Sequence, residues 1–493
     1  MGRGMKVIPT RSWTSSSSVS KNNHLIHTGV RHLGAAVKQE ALLNARLVCR
    51  QWDALATKHL FRRIALMHNS NDPTFAKWNQ IVSSPIVQSA AGEVEIYSIR
   101  PPGIHASCGG YGLERDDDIW ERWGDGEWPE FLSAINGIAG LPNLGAVKIV
   151  FSQGCEGSDE KGDRWEIVEN FWTRMHTIEN VFIAILQRKA LASAKDSSRS
   201  GITPITSLTI ENLQNRRFED FDDDFLSTDI FRSVVEDITE LRLQVTHEYT
   251  EYGPDYDIYM RERHEFEPWL QKELLPCFAS RLTSLHISFL ENWGVAPGYF
   301  DGKGLHFPNL KSLTLGEYVV GHHDQFEWVL AHTTLETLCL DRCVIVSYLH
   351  YNDDDIRRWG NIPTHDWKKV SGDERLYSFS GTWEQVFDRI RVGLHNLVQF
   401  RMRNVVDQHS KLRTPDELGC RLTAERYVTF SSGICPSPWL ETKPDGTMEW
   451  PELPRENGGD YLKYPGVNRA KETQEGDMKA FKERVSAVKI ELR

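Results

Sequence analysis

Residues 308–316 read Pro-Asn-Leu-Lys-Ser-Leu-Thr-Leu-Gly, and residues 333–341 read Thr-Thr-Leu-Glu-Thr-Leu-Cys-Leu-Asp. Each carries one large apolar residue, a second three positions on and a third two beyond that: Leu310/Leu313/Leu315 and Leu335/Leu338/Leu340. The last two of each set alternate around a polar residue, the period of a strand with one buried face. The same frame returns at Leu144/Val147/Ile149, Ile178/Val181/Ile183, Ile205/Leu208/Ile210, Ile238/Leu241/Leu243, Leu282/Leu285/Ile287 and Leu397/Phe400/Met402. The eight starts are separated by 34, 27, 33, 44, 28, 25 and 62 residues.

Between the frames lie stretches with helical spacing of apolar residues. Phe326, Val329 and Leu330 share a face before Leu338, and Trp383, Val386, Phe387 and Ile390 do so before Phe400. Helices are also expected over 128–139, 163–175, 225–236 and 266–279, with a degenerate first unit made of a helix at 73–83 and a strand at 94–99. One strand and one helix cannot bury their apolar faces alone, whereas stacked copies share a continuous interior. A unit of roughly 20–29 residues fits a leucine-rich repeat, the longer gaps marking insertions. The expected fold class is therefore α/β, a leucine-rich-repeat-like solenoid of strand–helix units. Its array would span 68–403 with an insertion near 344–380, followed by an irregular Pro-rich cap over 404–493. Within that cap, an edge strand at 426–430 and a terminal helix at 477–490 are expected.

The chain has 493 residues, too many for one ordinary spherical core, but a solenoid grows by adding units. A net charge of -12 argues against nucleic acid as the main partner, because phosphate binding needs clustered basic surface. Residues 1–40 hold six Lys or Arg and one acid, Glu40, so they carry +5 and the rest -17. That Ser-rich leader superficially resembles a mitochondrial presequence and reads more simply as disordered. Eight cysteines are too sparse for a disulfide scaffold and point to a reducing compartment, cytoplasmic or nuclear. No apolar run is long enough to cross a bilayer, so no membrane partner is expected.

Residues 41–66 read ALLNARLVCRQWDALATKHLFRRIAL, with Leu43, Leu47, Val48, Trp52, Leu55 and Ala56 on one helical stripe that Leu60, Phe61 and Ile64 continue. This predicts a short helical module over 41–67 with a basic outer face. The run Leu47-Val48-Cys49-Arg50-Gln51-Trp52, followed by Leu55-Ala56 and Leu60-Phe61-Arg62-Arg63-Ile64, resembles the C-terminal half of an F-box. Together with the downstream repeats, the chain resembles the F-box proteins abundant in filamentous fungi. The family's opening segment, a Leu-Pro followed by acidic and aliphatic positions, has no counterpart upstream.

That resemblance implies a non-catalytic, substrate-recognising subunit of an SCF-type cullin-RING ubiquitin ligase. Leu47, Val48, Trp52, Leu55 and Phe61 would dock on the Skp adaptor, and the repeats would hold a client protein. The outward strand positions, which alternate with the apolar ones, are the candidate client surface: Arg242, Gln244, His286, Asp341, Arg401 and Arg403, with Thr209, Glu211, Ser288, Thr314 and Cys339 among them. The alternative is a leucine-rich-repeat interaction protein without ligase coupling.

No pattern calls for a cofactor. The acidic triplets at 116–118, 222–224 and 353–355 lack calcium-loop spacing and read as solvated carboxylates. His322, His323, Asp324 and His332 form the densest imidazole cluster, yet adjacent histidines point apart, so no metal is expected. Cys339 and Cys343 lack a second ligand pair, and neither a phosphate loop nor a Gly-x-Ser-x-Gly elbow is present.

Overall fold

The computed structural model describes residues 41–67, 74–98, 128–153, 155, 170–193, 201–222, 224–247, 258–351, 365–371, 375–403, 421–432, 439–441 and 469–490. The leader 1–40, the triplets 116–118 and 353–355, and residues 163–169 and 404–420 lie outside them. The chain divides after Leu60 into two compact units. The described part of the first is a helical turn at 41–45, a tight turn, and helix α1 (Arg50–Leu60). Asp53 on α1 accepts from Arg46 Nε at 2.8 Å and from Thr57 Oγ1 at 3.3 Å, joining the turn to the helix.

The second unit starts with strand β1 (Arg63–Met67), helices α2 (Ala76–Val82) and α3 (Pro85–Ala90), β2 (Glu93–Tyr97), α4 (Pro129–Asn136) and β3 (Ala146–Val150). It continues with α5 (Phe171–Ser193), β4 (Ser207–Gln214), α6 (Asp229–Val235), β5 (Glu240–Thr246), α7 (Arg261–Trp269), β6 (Ser284–Trp293), β7 (Ser312–Val320), α8 (Glu327–Leu330) and β8 (Thr337–Asp341). Then come β9 (Val344–His350), β10 (Trp367–Lys369), β11 (Leu376–Phe379), α9 (Trp383–Gly393), β12 (Gln399–Arg403), β13 (Tyr427–Ser431) and β14 (Trp439–Glu441). Two further helices, α10 (Arg469–Glu472) and α11 (Gln474–Ile490), complete it.

The sheet is largely parallel, and β1 to β8 pair in sequence order before β12 adds beyond β8. Two apolar rows run through all nine strands in register. One is Ile64, Val94, Val147, Leu208, Leu241, Leu285, Leu313, Leu338 and Phe400; the other is Leu66, Ile96, Ile149, Ile210, Leu243, Ile287, Leu315, Leu340 and Met402. All are buried, each side chain contributing roughly 1.5–3 kcal/mol on removal from water. The first residue of the frame turns inward just before its strand, as Leu144, Leu282, Leu310 and Leu335 do at 0% exposure. Connecting helices supply the opposite wall of this core through Phe131, Met175, Phe231, Phe266, Val329 and Phe387.

The frame assignments need correction at two places. The frame Ile178/Val181/Ile183 is not a strand; it lies inside α5, a helix of 23 residues. Buried Ile178, Val181, Phe182 and Ile185 follow helical spacing, and Ile183 is only half-buried. Conversely, the helix expected over 41–67 ends at Leu60, and Ile64 belongs to β1. Phe61/Ile64/Leu66 has the repeat frame itself, and Phe61 packs half-buried on the core of the second unit.

The expected insertion near 344–380 holds strands rather than loop alone. β7 pairs β8 through Ser312–Gly316 and β9 through Val319–Val320, so the sheet forks there. On the second branch β9 is flanked by antiparallel β11, which carries β10, and by parallel β13, which carries β14. The edge strand expected at 426–430 is thus an interior strand, and the terminal helix packs on α9 through Phe481 and Phe387, 5.6 Å apart.

Residues 293–305 pass between β6 and β7 and are held by buried side chains. Gln325 Nε2 donates to the carbonyls of Gly294 and Phe300 at 2.6 and 3.1 Å, and Gln271 Oε1 accepts from Asp301 and Gly302 N–H at 3.1 and 2.9 Å. Gly302 has φ +62°, and a Cβ there would meet Trp328 at 2.1 Å. Glu267 Oε2 accepts from Gly294 N–H at 2.9 Å while burial pushes its carboxyl up to about 8, against the smaller opposing pull of that N–H and of Arg263. Because the folded value is raised above the ordinary 4.5, ionisation opposes folding, and stability is lost as pH rises from 4.5 through about 8. Glu267→Gln should therefore match the parent near pH 4 and exceed it by roughly 4 kcal/mol at pH 8. Urea unfolding at the two pH values checks this; a pH-independent difference contradicts it.

Candidate functional site

The first unit carries four exposed large apolar side chains. Leu47 is 85% exposed, Val48 66%, Trp52 55% and Leu55 57%, although the sequence places them on the apolar stripe of a helix. Trp52 and Leu55 are three apart on α1 and share a face. Burial within α1 falls instead on Ala56 and Thr57. The other large exposed apolar residues, such as Ile86, Trp172 and Val392, sit singly on separate helices, which is ordinary. Four large apolar side chains this exposed within nine residues depart from the usual burial of such groups. Cys49 beside them is exposed and free.

The outward strand positions also fall in register. Lys148, Thr209, Arg242, His286, Thr314, Cys339 and Arg401 form one row, and Gln244, Ser288, Gly316, Asp341 and Arg403 form the next. Apart from Lys148 and Gly316, these are the positions that alternation assigned to an open client surface, yet they are not open. Gln244, His286 and Asp341 are 4%, 6% and 6% exposed and Cys339 is 0%, while Arg242, Arg401 and Arg403 are half-buried. The rows are also tightly packed, since a Cβ on Gly316 would meet Ser288 Oγ at 2.3 Å. Burial, and then neighbouring Arg242, push His286 down to about 3, so its imidazole is neutral at cellular pH.

At the β1 end of the same face the charges satisfy one another. Arg63 lies 3.0 Å from Glu93 and 3.5 Å from Glu95, Tyr97 donates to Glu95 at 2.8 Å, and Lys148 meets Glu211 at 2.7 Å. Such pairs fix strand register more than they add stability.

A pocket of about 620 Å³ opens where β7 ends, lined by His322, His323, Asp324, Phe379, Gln385 and Arg389 among others. Its carboxylates and guanidinium are largely engaged: Arg389 pairs with Glu327, and Arg391 lies 3.2 Å from Asp388. The imidazoles that the sequence groups together separate in space. His332 is fully used, with Nε2 accepting from Phe307 N–H at 2.9 Å and Nδ1 against the Trp328 carbonyl at 2.7 Å. His322 instead meets His365 and Asp366, which arrive from over forty residues further along the chain. Sequence spacing held no signal for that meeting. Cys339 and Cys343 are buried, and the Cys343 thiol donates to the Leu315 carbonyl at 3.3 Å. Among the described residues, no helix is long and apolar enough to cross a membrane. The sequence matches no family model and no curated protein.

Proposed function

We propose that this protein recruits clients to a cullin-RING ubiquitin ligase, docking on a Skp-type adaptor through Leu47, Val48, Trp52 and Leu55. The observation that carries the reading is the exposure of these four apolar side chains together within the short first unit. Phe61 leaves the docking set, because it is half-buried against the core of the second unit. The second unit is read as a leucine-rich-repeat-like solenoid, supported by nine parallel strands in consecutive register with intervening helices. In this reading the chain works in the cytosol or nucleus, binds neither nucleic acid nor membrane, and has no active site or cofactor of its own. Its contribution to catalysis is proximity, holding a client beside a conjugating enzyme supplied by the complex.

Burial of the outer rows shifts the expected client contacts. Arg242, Arg401 and Arg403 retain partial exposure and remain candidates, whereas Gln244, His286 and Asp341 would need a rearrangement to be reached.

The test is recovery of a Skp adaptor with the intact chain. Trp52→Ala and Val48→Asp should each lower recovery at least tenfold, as expected for aromatic and aliphatic anchors at the centre of an interface. Both side chains are exposed, so the melting temperature should not change. Failure of the intact chain to retain the adaptor overturns the ligase reading and favours a repeat protein without ligase coupling.

A further inference from the structure

The carboxylate of Asp366 lies between two imidazoles. Its Oδ2 is 3.4 Å from His322 Nδ1 and 3.5 Å from His365 Nε2, and the three ligand atoms lie within 4.8 Å of one another. These separations are long for hydrogen bonds, whose N–H···O distances fall at about 2.7–3.2 Å. They match the edge of a coordination tetrahedron, about 3.3–3.4 Å for metal–ligand bonds of about 2.0–2.1 Å.

The deepest member supplies a second, independent observation. His322 is 0% exposed, and its Nδ1 is buried without a hydrogen-bond partner while facing that carboxylate. A buried polar nitrogen left in this state costs about 1–3 kcal/mol unless something engages it. Its ring is fixed edge-on against Tyr299 at 5.7 Å and Trp367 at 6.1 Å. Asp366 is held in turn by the backbone N–H of His323 at 3.0 Å, the supporting bond that metal-binding carboxylates usually have.

We propose that His322, His365 and Asp366 bind a divalent transition-metal ion of the zinc class. Two imidazoles and one carboxylate suit a borderline ion and not calcium or magnesium, which take oxygen cages. The side chain of His365 is 61% exposed, so the site is reached from solvent.

The ion would clip the end of β7 to the start of β10, joining the main sheet to the hairpin of its second branch. Loading also has a proton requirement. Trp367 Nε1–H now points at His322 Nε2 across 3.4 Å, so Nε2 acts as an acceptor. Coordination through Nδ1 puts the ring proton on Nε2 and turns that contact into two opposed donors, so the indole must shift. A change in Trp367 emission therefore accompanies binding. The proposal is independent of the ligase reading, since every residue in it lies in the second unit.

The experiment uses the full chain, purified on a tag free of histidine, stripped with chelator and titrated with Zn²⁺ and then Co²⁺. One equivalent should bind, with visible cobalt bands of a low-coordination site and a change in emission that Trp367→Phe removes. His365→Ala and Asp366→Asn should each weaken binding at least tenfold. The first variant should leave the melting temperature of the stripped protein unchanged, because its side chain is mostly in solvent. Absence of a tight equivalent in the parent overturns the site, and so does affinity that both variants retain.

Discussion

Arg426→Ala is expected to lower the unfolding free energy by about 3–5 kcal/mol, the range for removing one partner of a buried ion pair. Arg426 and Asp477 both have side chains at 0% exposure and meet at 2.8 Å. The guanidinium also donates to the carbonyls of Thr423 and Ala470, at 2.8 and 2.6 Å. Asp477 accepts in addition from Tyr427 Oη at 2.9 Å, Thr473 Oγ1 at 2.7 Å and the N–H of Glu384 at 2.8 Å. Alanine would leave a carboxylate sealed from water with its cation gone, and three donors replace only part of that charge compensation. The network ties β13, α9 and α11 together, so α11 should detach first, seen as faster amide exchange over 474–484. A loss below about 1 kcal/mol in urea unfolding would show that the pair only fixes geometry.

Trp293→Ala should cost a similar amount, about 3–5 kcal/mol, for a different reason. Its indole is fully buried, stacked on Phe289 at 4.4 Å and packed on Tyr318 and Phe300 at 4.9 and 5.1 Å. Nε1 donates to the carbonyl of Gly316 at 2.7 Å, linking β6 to β7. Trp293→Phe keeps most of the apolar volume and loses the hydrogen bond, so it should cost about 1–3 kcal/mol. Unfolding midpoints of the two variants separate the contributions. Equal losses would mean that the hydrogen bond, not the packing, carries the effect.

The strand frames were readable because large aliphatic residues alternate with smaller or polar ones. In Leu313-Thr314-Leu315 or Leu338-Cys339-Leu340, a one-residue slip would put polar atoms into the core, so the pattern admits one register. The same spacing misled at Ile178, because residues three apart also share a helix face, and the run from Phe171 to Ser193 contains neither Gly nor Pro to break a helix. β1 was hidden by its neighbour: Leu60-Phe61 follows a helical stripe, and Arg62-Arg63 interrupts the alternation. The fork could not be read at all, since Val344–His350 looks like any apolar strand until its partners are known.

The candidate sites differ in the same way. Leu47, Val48, Trp52 and Leu55 were singled out by the resemblance of their run to an F-box, although apolarity alone predicts burial and not the exposure they show. Alternation placed Gln244, His286 and Asp341 on the outward side correctly in register, but it carries no information on how tightly that side is packed. The meeting of His322 with His365 and Asp366 is purely tertiary, produced by the antiparallel return of β10 along β11 beside β9.

The division of β7 between two neighbours has a mechanical consequence. Prising β8 away breaks the bonds made by Ser312–Gly316 and leaves Val319–Val320 stitched to β9; stripping β9 does the reverse. One strand is thus the shared hem of two seams, and neither tears by running into the other.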